Sequence, residues 1–335
     1  MKFGILLTSV YDRGTPPERQ RDEHAELVRT AEQAGFGLMV AGQHFLGAEL
    51  RYFQPVPWLT YMAGQAPAMD VATGIVLLSM VNPVDMAEQI STLDVLTGGR
   101  TRFGVGLGYS PHEFDAFGVR KGERVARFEE SLALIRRLWS GEKVTFQGRF
   151  TGVRDAQPAV QPVQAGGPPV WIGGQAAGAV KRAATKGDAW YTPPFPTHDE
   201  LHEMRRLFLD TRAEAGLPAA MEFPVRRELL IADSREEAVE AALVRYRARY
   251  ETYRRWGLKG QNTPVLESGE RLRTDIDRRF ILGTPEECAA ELHKLGDELG
   301  MTHFVYKPHW PGLPHAEAMR QLDRFGSEVM PLLRD

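Results

Sequence analysis

His44 is the residue whose type and position best suit acid–base chemistry. It stands in Gln43-His44-Phe45, soon after the apolar run 37–41. An imidazole can act as a general acid or base near neutral pH. If that run is a strand of an α/β barrel, His44 lies at the mouth, the carboxyl end of the strands, where such enzymes place their active sites. We predict that His44 is catalytic, with a structural loop histidine as the alternative.

A glycine turn has the pattern of an anion-binding site. Gly173-Gly174-Gln175-Ala176 follows the apolar run 169–172 and precedes a helix of small residues. The first turn of a helix presents unpaired N–H groups and the positive end of the helix dipole to an anion. We therefore predict a phosphate site here. A tight strand-to-helix turn, which also needs glycine, is the alternative.

Alternating glycines at positions 104, 106 and 108 end another apolar run. Glycine lets the backbone approach a flat ring, a phosphate or a neighbouring strand closely, so cofactor contact and close packing both remain open for Gly104. A dinucleotide fingerprint is excluded, because Tyr109 stands where its third glycine would be.

The histidines and the cysteine do not indicate a metal site. His198 and His202 are one helical turn apart, but the run 198–202 lacks the zincin order, so we favour a solvated helix face. Cys288 is the one cysteine in the chain, which excludes an internal disulfide. A helix dipole there could lower a thiol pKa, yet a small buried helix residue is the favoured interpretation. We predict no bound metal.

Short apolar runs alternate with amphipathic helical stretches along the whole chain. The eight runs are residues 2–7, 37–41, 71–78, 101–105, 169–172, 189–192, 225–232 and 302–306. This βαβα rhythm demands parallel strands joined by crossover helices. Because no dinucleotide turn follows the first strand, eight strands favour a (β/α)8 TIM barrel over a doubly wound sheet. We predict a single domain over residues 1–335.

Capping residues mark several helix boundaries. Ser234 and Thr284 begin capping boxes, and Thr284 is followed by a proline at the first helical position. Gly35 and the pair Gly98-Gly99 follow helical stretches, where a left-handed residue is needed.

Two stretches interrupt this rhythm. Residues 142–168 are rich in Gly, Pro and Gln, and residues 251–280 crowd Arg and Asp together. We predict insertions at the C-terminal mouth. The second would form part of a lid, with disorder as the alternative.

Composition narrows the possible partners. The 335 residues carry a formal net charge of -3, with 43% hydrophobic and 25% charged residues, which is typical of a globular protein. There is no broad positive field for nucleic acid. The apolar N-terminal run is too short for a signal peptide, and no run approaches the ~18 residues of a membrane span. We expect a cytoplasmic protein without membrane or nucleic-acid partners.

Taken in order, these segments resemble the bacterial-luciferase-like flavin-dependent monooxygenases over essentially the whole chain. The similar segments are Lys2-Phe3-Gly4, Gln43-His44-Phe45, Thr73-Gly74-Ile75-Val76, Asn82-Pro83-Val84 and residues 93–100, 104–118 and 283–288. The resemblance implies a barrel with reduced FMN across its mouth, a separate flavin reductase and a small-molecule substrate. It also implies a homodimer built on the early barrel helices.

The resemblance further implies roles for individual residues. Gly74 and Ile75 would form the bulge behind the flavin ring, often with a non-prolyl cis peptide. Positions that contact the cofactor in relatives correspond to Gly104, Glu113, Arg127 and Phe128, and those of the phosphate turn to Gly173, Gly174, Gln175 and Ala176. The residues themselves predict an aromatic-walled substrate pocket. Its members are Tyr306, His309 and Trp310 at the last strand, together with Tyr109.

Departures from the family pattern leave the cofactor open. Gln43 stands where many flavin-dependent members have a histidine, and Gln-His-Phe is similar to the Asp-His-Phe of members that use a deazaflavin. Leu107 replaces an arginine of luciferase, and Ala179 replaces a hydroxyl residue near the phosphate. Arginines between positions 245 and 255 would serve a deazaflavin's acidic tail or, as we favour, form a solvated helix face.

We expect a flavin-dependent monooxygenase that uses reduced FMN and oxygen on a small organic substrate. One alternative is a deazaflavin-dependent oxidoreductase that transfers hydride without oxygen. A non-catalytic flavin-binding protein is an alternative of another class.

Overall fold

Parallel strands form a barrel. The barrel strands begin and end close to the apolar runs of the sequence. The computed structural model describes residues 1–7, 11, 14–47, 51–220, 222–255, 270–309 and 313–333. Its strands are β1 (Lys2–Leu7), β2 (Leu38–Ala41), β3 (Asp70–Thr73), β4 (Val76–Leu77), β5 (Thr101–Gly106), β6 (Val144–Gln147), β7 (Gly152–Ala156), β8 (Val170–Gly173), β9 (Ala189–Tyr191), β10 (Pro224–Arg227), β11 (Leu229–Ile231), β12 (Ile281–Gly283) and β13 (His303–Tyr306).

The strand order confirms the predicted (β/α)8 barrel. Neighbours follow one another as β10-β13-β1-β2-β3-β5-β8-β9, all parallel. The circle closes between β9 and β10, where the Thr192 N–H donates to the Pro224 carbonyl at 3.3 Å and the Arg226 N–H to the Thr192 hydroxyl at 3.1 Å. β4 and β11 continue β3 and β10 after short breaks.

Eleven α-helices are present in the described residues, and most of them surround the barrel. They are α1 (Pro17–Ala34), α2 (Pro55–Ala63), α3 (Pro83–Leu96), α4 (Pro111–Ala116), α5 (Arg124–Leu138), α6 (Ala177–Lys186), α7 (His198–Glu214), α8 (Arg235–Arg255), α9 (Glu270–Asp277), α10 (Pro285–Leu299) and α11 (His315–Arg324). The structure also contains short 3-10 turns at Lys121–Glu123 and Met330–Leu333 and a π-helical turn at Phe325–Val329.

Capping chemistry explains several of these boundaries. Five helices, α1 to α4 and α10, begin with proline, whose fixed φ suits the first helical turn. Thr284 forms the predicted capping box, and Thr197 forms a second one at α7. Gly35 ends α1 at φ 96°, and Gly98 and Gly99 after α3 also have positive φ, as the sequence predicts.

The insertion at residues 142–168 contains a β-hairpin, β6 and β7. It joins the end of α5 to the start of β8, so it leaves the barrel at the end opposite the mouth. The predicted position at the mouth is therefore wrong for this insertion. The hairpin packs along α5, where the Glu130 carboxylate accepts the N–H groups of Arg149, Phe150 and Thr151 at 2.7–2.8 Å. Of the second insertion, α8 continues to Arg255 and α9 precedes β12. Residues 256–269, on which the lid prediction largely rests, lie outside the described residues.

A charged cluster lies among the amino-terminal ends of the barrel strands. Asp70 contacts Lys2 at 2.5 Å and Arg102 at 2.9 Å, and Arg102 reaches Glu222 at 3.0 Å. The His303 imidazole lies beside Glu222, and burial lowers its pKa to about 4. Nearer the mouth the lumen is apolar and contains Leu6, Val40, Ala72, Trp171, Tyr191 and Val305.

Candidate active site

His44 lies at the mouth, as predicted, and is held from two sides. Its Nδ1 lies 3.0 Å from Glu113 Oε1, and its Nε2 lies 3.2 Å from the Tyr109 hydroxyl. An ionised carboxylate only accepts hydrogen bonds, so in the neutral ring Nδ1 donates to Glu113 and Nε2 accepts from Tyr109. The Tyr52 ring packs edge-on against the imidazole at 4.8 Å. These contacts fix the orientation of the ring and direct Nε2 toward the Tyr109 hydroxyl.

Glu113 joins two loops of the mouth. It lies in α4, which follows β5, and its side chain is almost completely buried. Oε1 also accepts the Phe45 N–H at 2.8 Å, so it anchors the loop that follows β2. Oε2 is buried and has no hydrogen-bond partner within the described residues. In this structure Glu113 acts on His44, and its predicted contact with a cofactor remains a prediction.

Gln43 has a structural role that the sequence did not predict. Its backbone N–H donates to the Ile75 carbonyl at 3.2 Å, and its side-chain oxygen accepts the Leu77 N–H at 2.9 Å. Its amide nitrogen donates to Gln54 at 2.9 Å. The side chain therefore ties β4 to the loop after β2, which gives a physical reason for an amide at this position.

The segment between β3 and β4 crosses the mouth with a cis peptide at Gly74-Ile75, as the resemblance implies. The neighbouring glycines fit it closely. A Cβ on Gly104 would overlap the Thr73 carbonyl oxygen, and one on Gly106 would overlap the Ile75 side chain. Close packing therefore accounts for Gly104, whose predicted cofactor contact remains a prediction.

The turn after β8 has the form expected of a phosphate cradle. α6 begins at Ala177, and its N-cap residue, Ala176, provides no side-chain hydrogen bond. Gly174 lies against Ala179, where a Cβ would overlap, and its carbonyl accepts the Trp190 indole N–H at 2.8 Å. Gln175 Nε2 is buried without a hydrogen-bond partner among the residues that the structure describes. The turn thus combines an accessible helix start with an unsatisfied donor.

Arg127 and Phe128 have different surroundings. The Arg127 guanidinium lies 4.4 Å from the centre of the Phe150 ring and 3.6 Å from Glu123, so it faces the hairpin insertion. Phe128 is fully buried in the main core. Because a side chain with no accessible surface cannot contact a ligand, Phe128 is left out of the proposed site. A cofactor contact of Arg127 remains a prediction.

The predicted substrate-pocket residues separate into two places. Tyr109 is 38% exposed and joins His44, whereas His309 is buried and stacks on the Tyr11 ring at 5.1 Å. Burial is the largest effect on the His309 imidazole and lowers its pKa to about 4. Trp310 lies outside the described residues.

His198 and His202 do not face one another as metal ligands would. Each pairs at 3.1 Å with a different carboxylate of α10, His198 with Glu291 and His202 with Glu298. The prediction of a solvated face is therefore incomplete, since these rings join α7 to α10. Cys288 is buried, as predicted, and burial raises the pKa of its thiol to about 12.

Sequence reasoning missed several residues of the mouth. Tyr191 ends β9, its hydroxyl is buried without a partner among the described residues, and burial raises its pKa to about 12. Its position at the carboxyl end of a predicted strand was the available signal. Tyr11, Glu23 and Tyr52 lie in loops or on a helix face, where no local pattern distinguishes them.

The comparisons with known proteins identify the family of this chain. A family model described as luciferase-like monooxygenase matches residues 1–303. The chain belongs to the luciferase-like monooxygenase family. It is therefore an enzyme of a family that contains monooxygenases and F420-dependent oxidoreductases.

The relatives of this chain include both a monooxygenase and an F420-dependent dehydrogenase. The 4-hydroxyprotoasukamycin monooxygenase of Streptomyces nodosus subsp. asukaensis is 28% identical over 316 residues, 90% of this chain and 83% of that protein. The F420-dependent glucose-6-phosphate dehydrogenase of Kineococcus radiotolerans is 29% identical over 293 residues, 83% of this chain and 82% of that protein.

A solved structure supports the fold. The FMN complex of the oxygenating constituent of 3,6-diketocamphane monooxygenase, from Pseudomonas putida, superposes with a TM-score of 0.82 at 18% identity, covering 99% of this chain and 98% of that one.

Among the described helices, none is long and apolar enough to cross a membrane.

Proposed function

We propose that this enzyme is a monooxygenase that binds reduced FMN across the barrel mouth and acts with oxygen on a small organic substrate. The observation that carries the proposal is the position of His44 between Glu113 and Tyr109, at the same mouth as the turn after β8. Reduced flavin supplies the electrons that activate oxygen, and the protein supplies binding, orientation and proton transfer.

The turn after β8 suits the FMN phosphate. The exposed N-terminus of α6 offers backbone N–H groups and a positive dipole end. The unpartnered amide of Gln175 offers a further donor. A dianionic phosphate would satisfy both, and charged hydrogen bonds of this kind contribute about 1.5–3 kcal/mol each.

His44 is proposed to move a proton at the reacting end of the site. Glu113 holds Nδ1 and stabilises the ring when it becomes protonated, as a carboxylate does in other histidine pairs. Nε2, with the Tyr109 hydroxyl, is then the group that exchanges a proton with the substrate or cofactor. Tyr52 and the buried Glu113 limit water around the imidazole.

Two observations favour FMN over a deazaflavin. The relative that aligns with the larger share of this chain is a monooxygenase. In addition, Arg245, one of the arginines available to an acidic cofactor tail, instead pairs with Glu317 of α11 at 3.1 Å and is mostly buried. Hydride transfer from a deazaflavin remains the second candidate, because the F420-dependent relative is of nearly equal identity.

Two partners belong to the same proposal. The sequence after β1 has no Gly-x-Gly-x-x-Gly pattern for a nicotinamide dinucleotide, and we infer that a separate reductase supplies the reduced flavin. We also infer a homodimer through the early barrel helices, where Tyr61, Val95 and Leu96 leave apolar surface exposed. Light scattering that finds a monomer at micromolar concentration in low salt would contradict the dimer.

The choice of cofactor is tested by binding and turnover together. Fluorescence quenching compares FMN, riboflavin and F420, and product formation is then measured over a panel of carbonyl and sulfide substrates. We expect FMN to bind more tightly than riboflavin, and product to require both reduced FMN and oxygen. Product formation with reduced F420 under anaerobic conditions, and none with FMN, would refute the proposal.

A further inference from the structure

Three potential metal ligands meet on another side of the mouth. His309 follows β13, His315 begins α11, and Glu23 lies in α1. One ligand atom from each lies within 4.8 Å of the others. All three side chains are mostly buried: His309 is 4% exposed, and the side chains of His315 and Glu23 are 14% and 13% exposed. The group is therefore an enclosed cluster that combines two imidazoles with one carboxylate.

Neighbouring side chains hold the carboxylate and one imidazole in place. The Tyr11 hydroxyl donates to Glu23 Oε2 at 2.6 Å, and Arg19 donates to Oε1 at 2.7 Å. His315 Nε2 lies 3.0 Å from Glu26. Outer contacts of this kind orient the ligands of metal sites and fix which ring nitrogen is available.

Each imidazole has a nitrogen that no described residue satisfies. Nδ1 of His309 and Nδ1 of His315 are both buried, and neither has a hydrogen-bond partner in the described part of the chain. The ring centres lie 6.2 Å apart, and the ring planes are inclined by 29°. Buried polar atoms without partners are uncommon in native proteins, and a bound ion is one of their ordinary explanations.

We propose that His309, His315 and Glu23 bind a divalent transition-metal ion, with Zn²⁺ the metal that the ligand set fits best. Two imidazoles and one carboxylate form a known zinc ligand set that leaves a fourth position for water or a substrate oxygen. Mg²⁺ and Ca²⁺ prefer oxygen ligands throughout, so a site with two imidazoles selects against them. This proposal differs from the expectation of no bound metal.

The ion would join three parts of the mouth. α1, the segment after β13 and the start of α11 each contribute one ligand, and Tyr11, after β1, packs against His309. The phosphate turn instead follows β8, which is not adjacent to β1 or β13 in the sheet. Metal binding is therefore separable from cofactor binding, and its test does not depend on the proposed monooxygenase activity.

Metal content decides the proposal. Untagged protein is stripped with EDTA, dialysed against ZnCl₂ and analysed by elemental mass spectrometry, with His315→Ala and Glu23→Gln as ligand variants. His202→Ala is the matched control, because it removes another His–Glu contact, the one with Glu298, from a different part of the surface. We expect one Zn²⁺ per wild-type and control chain, at least ten-fold weaker binding in both ligand variants, and a Zn²⁺-dependent rise in thermal midpoint only where the ligands are intact.

Cobalt absorption spectroscopy of the wild-type protein tests the site even if the ligand variants do not fold. Co²⁺ added to the wild-type protein should give the intense visible absorption of a four-coordinate site, and added Zn²⁺ should displace it. The proposal is overturned if wild-type protein binds no more Zn²⁺ than its folded ligand variants do, or if Co²⁺ gives only the weak absorption of the hydrated ion.

Discussion

Replacing Gly174 by alanine tests the phosphate cradle directly. A Cβ at this position would overlap the Ala179 Cβ, whereas two carbon atoms prefer a separation of about 3.5 Å. Ala179 lies in the first turn of α6, so the helix start must move away from the turn to relieve the overlap. The backbone N–H groups that would bind phosphate move with it.

The expected loss follows from the number of hydrogen bonds disturbed. One or two charged hydrogen bonds of about 1.5–3 kcal/mol correspond to a rise in the FMN dissociation constant of roughly ten-fold to more than a hundred-fold. Riboflavin lacks the phosphate, so its affinity should change little. Gly178→Ala is the matched control, because no heavy atom lies within 4 Å of a Cβ there and the residue is in the same helical turn.

Fluorescence titrations of FMN and riboflavin on the three proteins provide the assay, and circular dichroism confirms that each variant is folded. The reasoning fails if folded Gly174→Ala binds FMN as tightly as the wild type. It also fails if riboflavin loses as much affinity as FMN, because the change would then act on the ring site.

Three further predictions concern the packing and protonation of the barrel. Gly104→Ala should lower the free energy of unfolding by about 1–3 kcal/mol or more, because its Cβ would overlap the Thr73 carbonyl; a thermal midpoint equal to that of Gly122→Ala, which has open space, would contradict this. Cys288 should resist a disulfide reagent in the native protein and react after denaturation, since burial raises its thiol pKa to about 12; rapid native labelling would be the contrary result. Because the pKa of His303 falls from 6.5 to about 4 on folding, the unfolded chain binds more protons between these values, and stability should fall as pH drops from 6.5 toward 4. Denaturation curves at pH 7 and pH 5 should show a smaller loss of stability in His303→Gln than in the wild-type protein. An equal loss in the two proteins would rule out His303 as the origin of the pH dependence.

The barrel was predictable because each of its strands is a buried apolar run that ends at a turn or a helix cap. The hairpin was not, since three of the five β7 residues are polar or glycine and the strand is mostly exposed, so it has no apolar periodicity. β12 was missed for a different reason. It has only three residues, and among the described strands it pairs only with β11, outside the main strand order.

Single residues of the site could be predicted from the sequence, but the contacts between them could not. His44 was identified because it follows a strand, whereas its contact with Glu113 spans 69 positions in sequence. Glycine has no side chain to reveal its neighbour, so the sequence alone could not decide whether Gly104 faces a ligand or Thr73. The proximity of Glu23 to His309 and His315 brings together opposite ends of the chain, which no local pattern encodes.

The central claim is that His44 transfers a proton during turnover, and a paired measurement on His44→Ala tests it. Single-turnover product formation with pre-reduced FMN and oxygen, on a substrate that the wild-type enzyme accepts, is measured beside the thermal midpoint, with the exposed His112→Ala as control. Loss of a positioned acid or base usually costs ~100-fold to 10,000-fold in rate, so we predict a loss of that size with a nearly unchanged midpoint and FMN affinity. A normal rate per folded molecule beside a lowered midpoint would contradict the account and make His44 a structural residue.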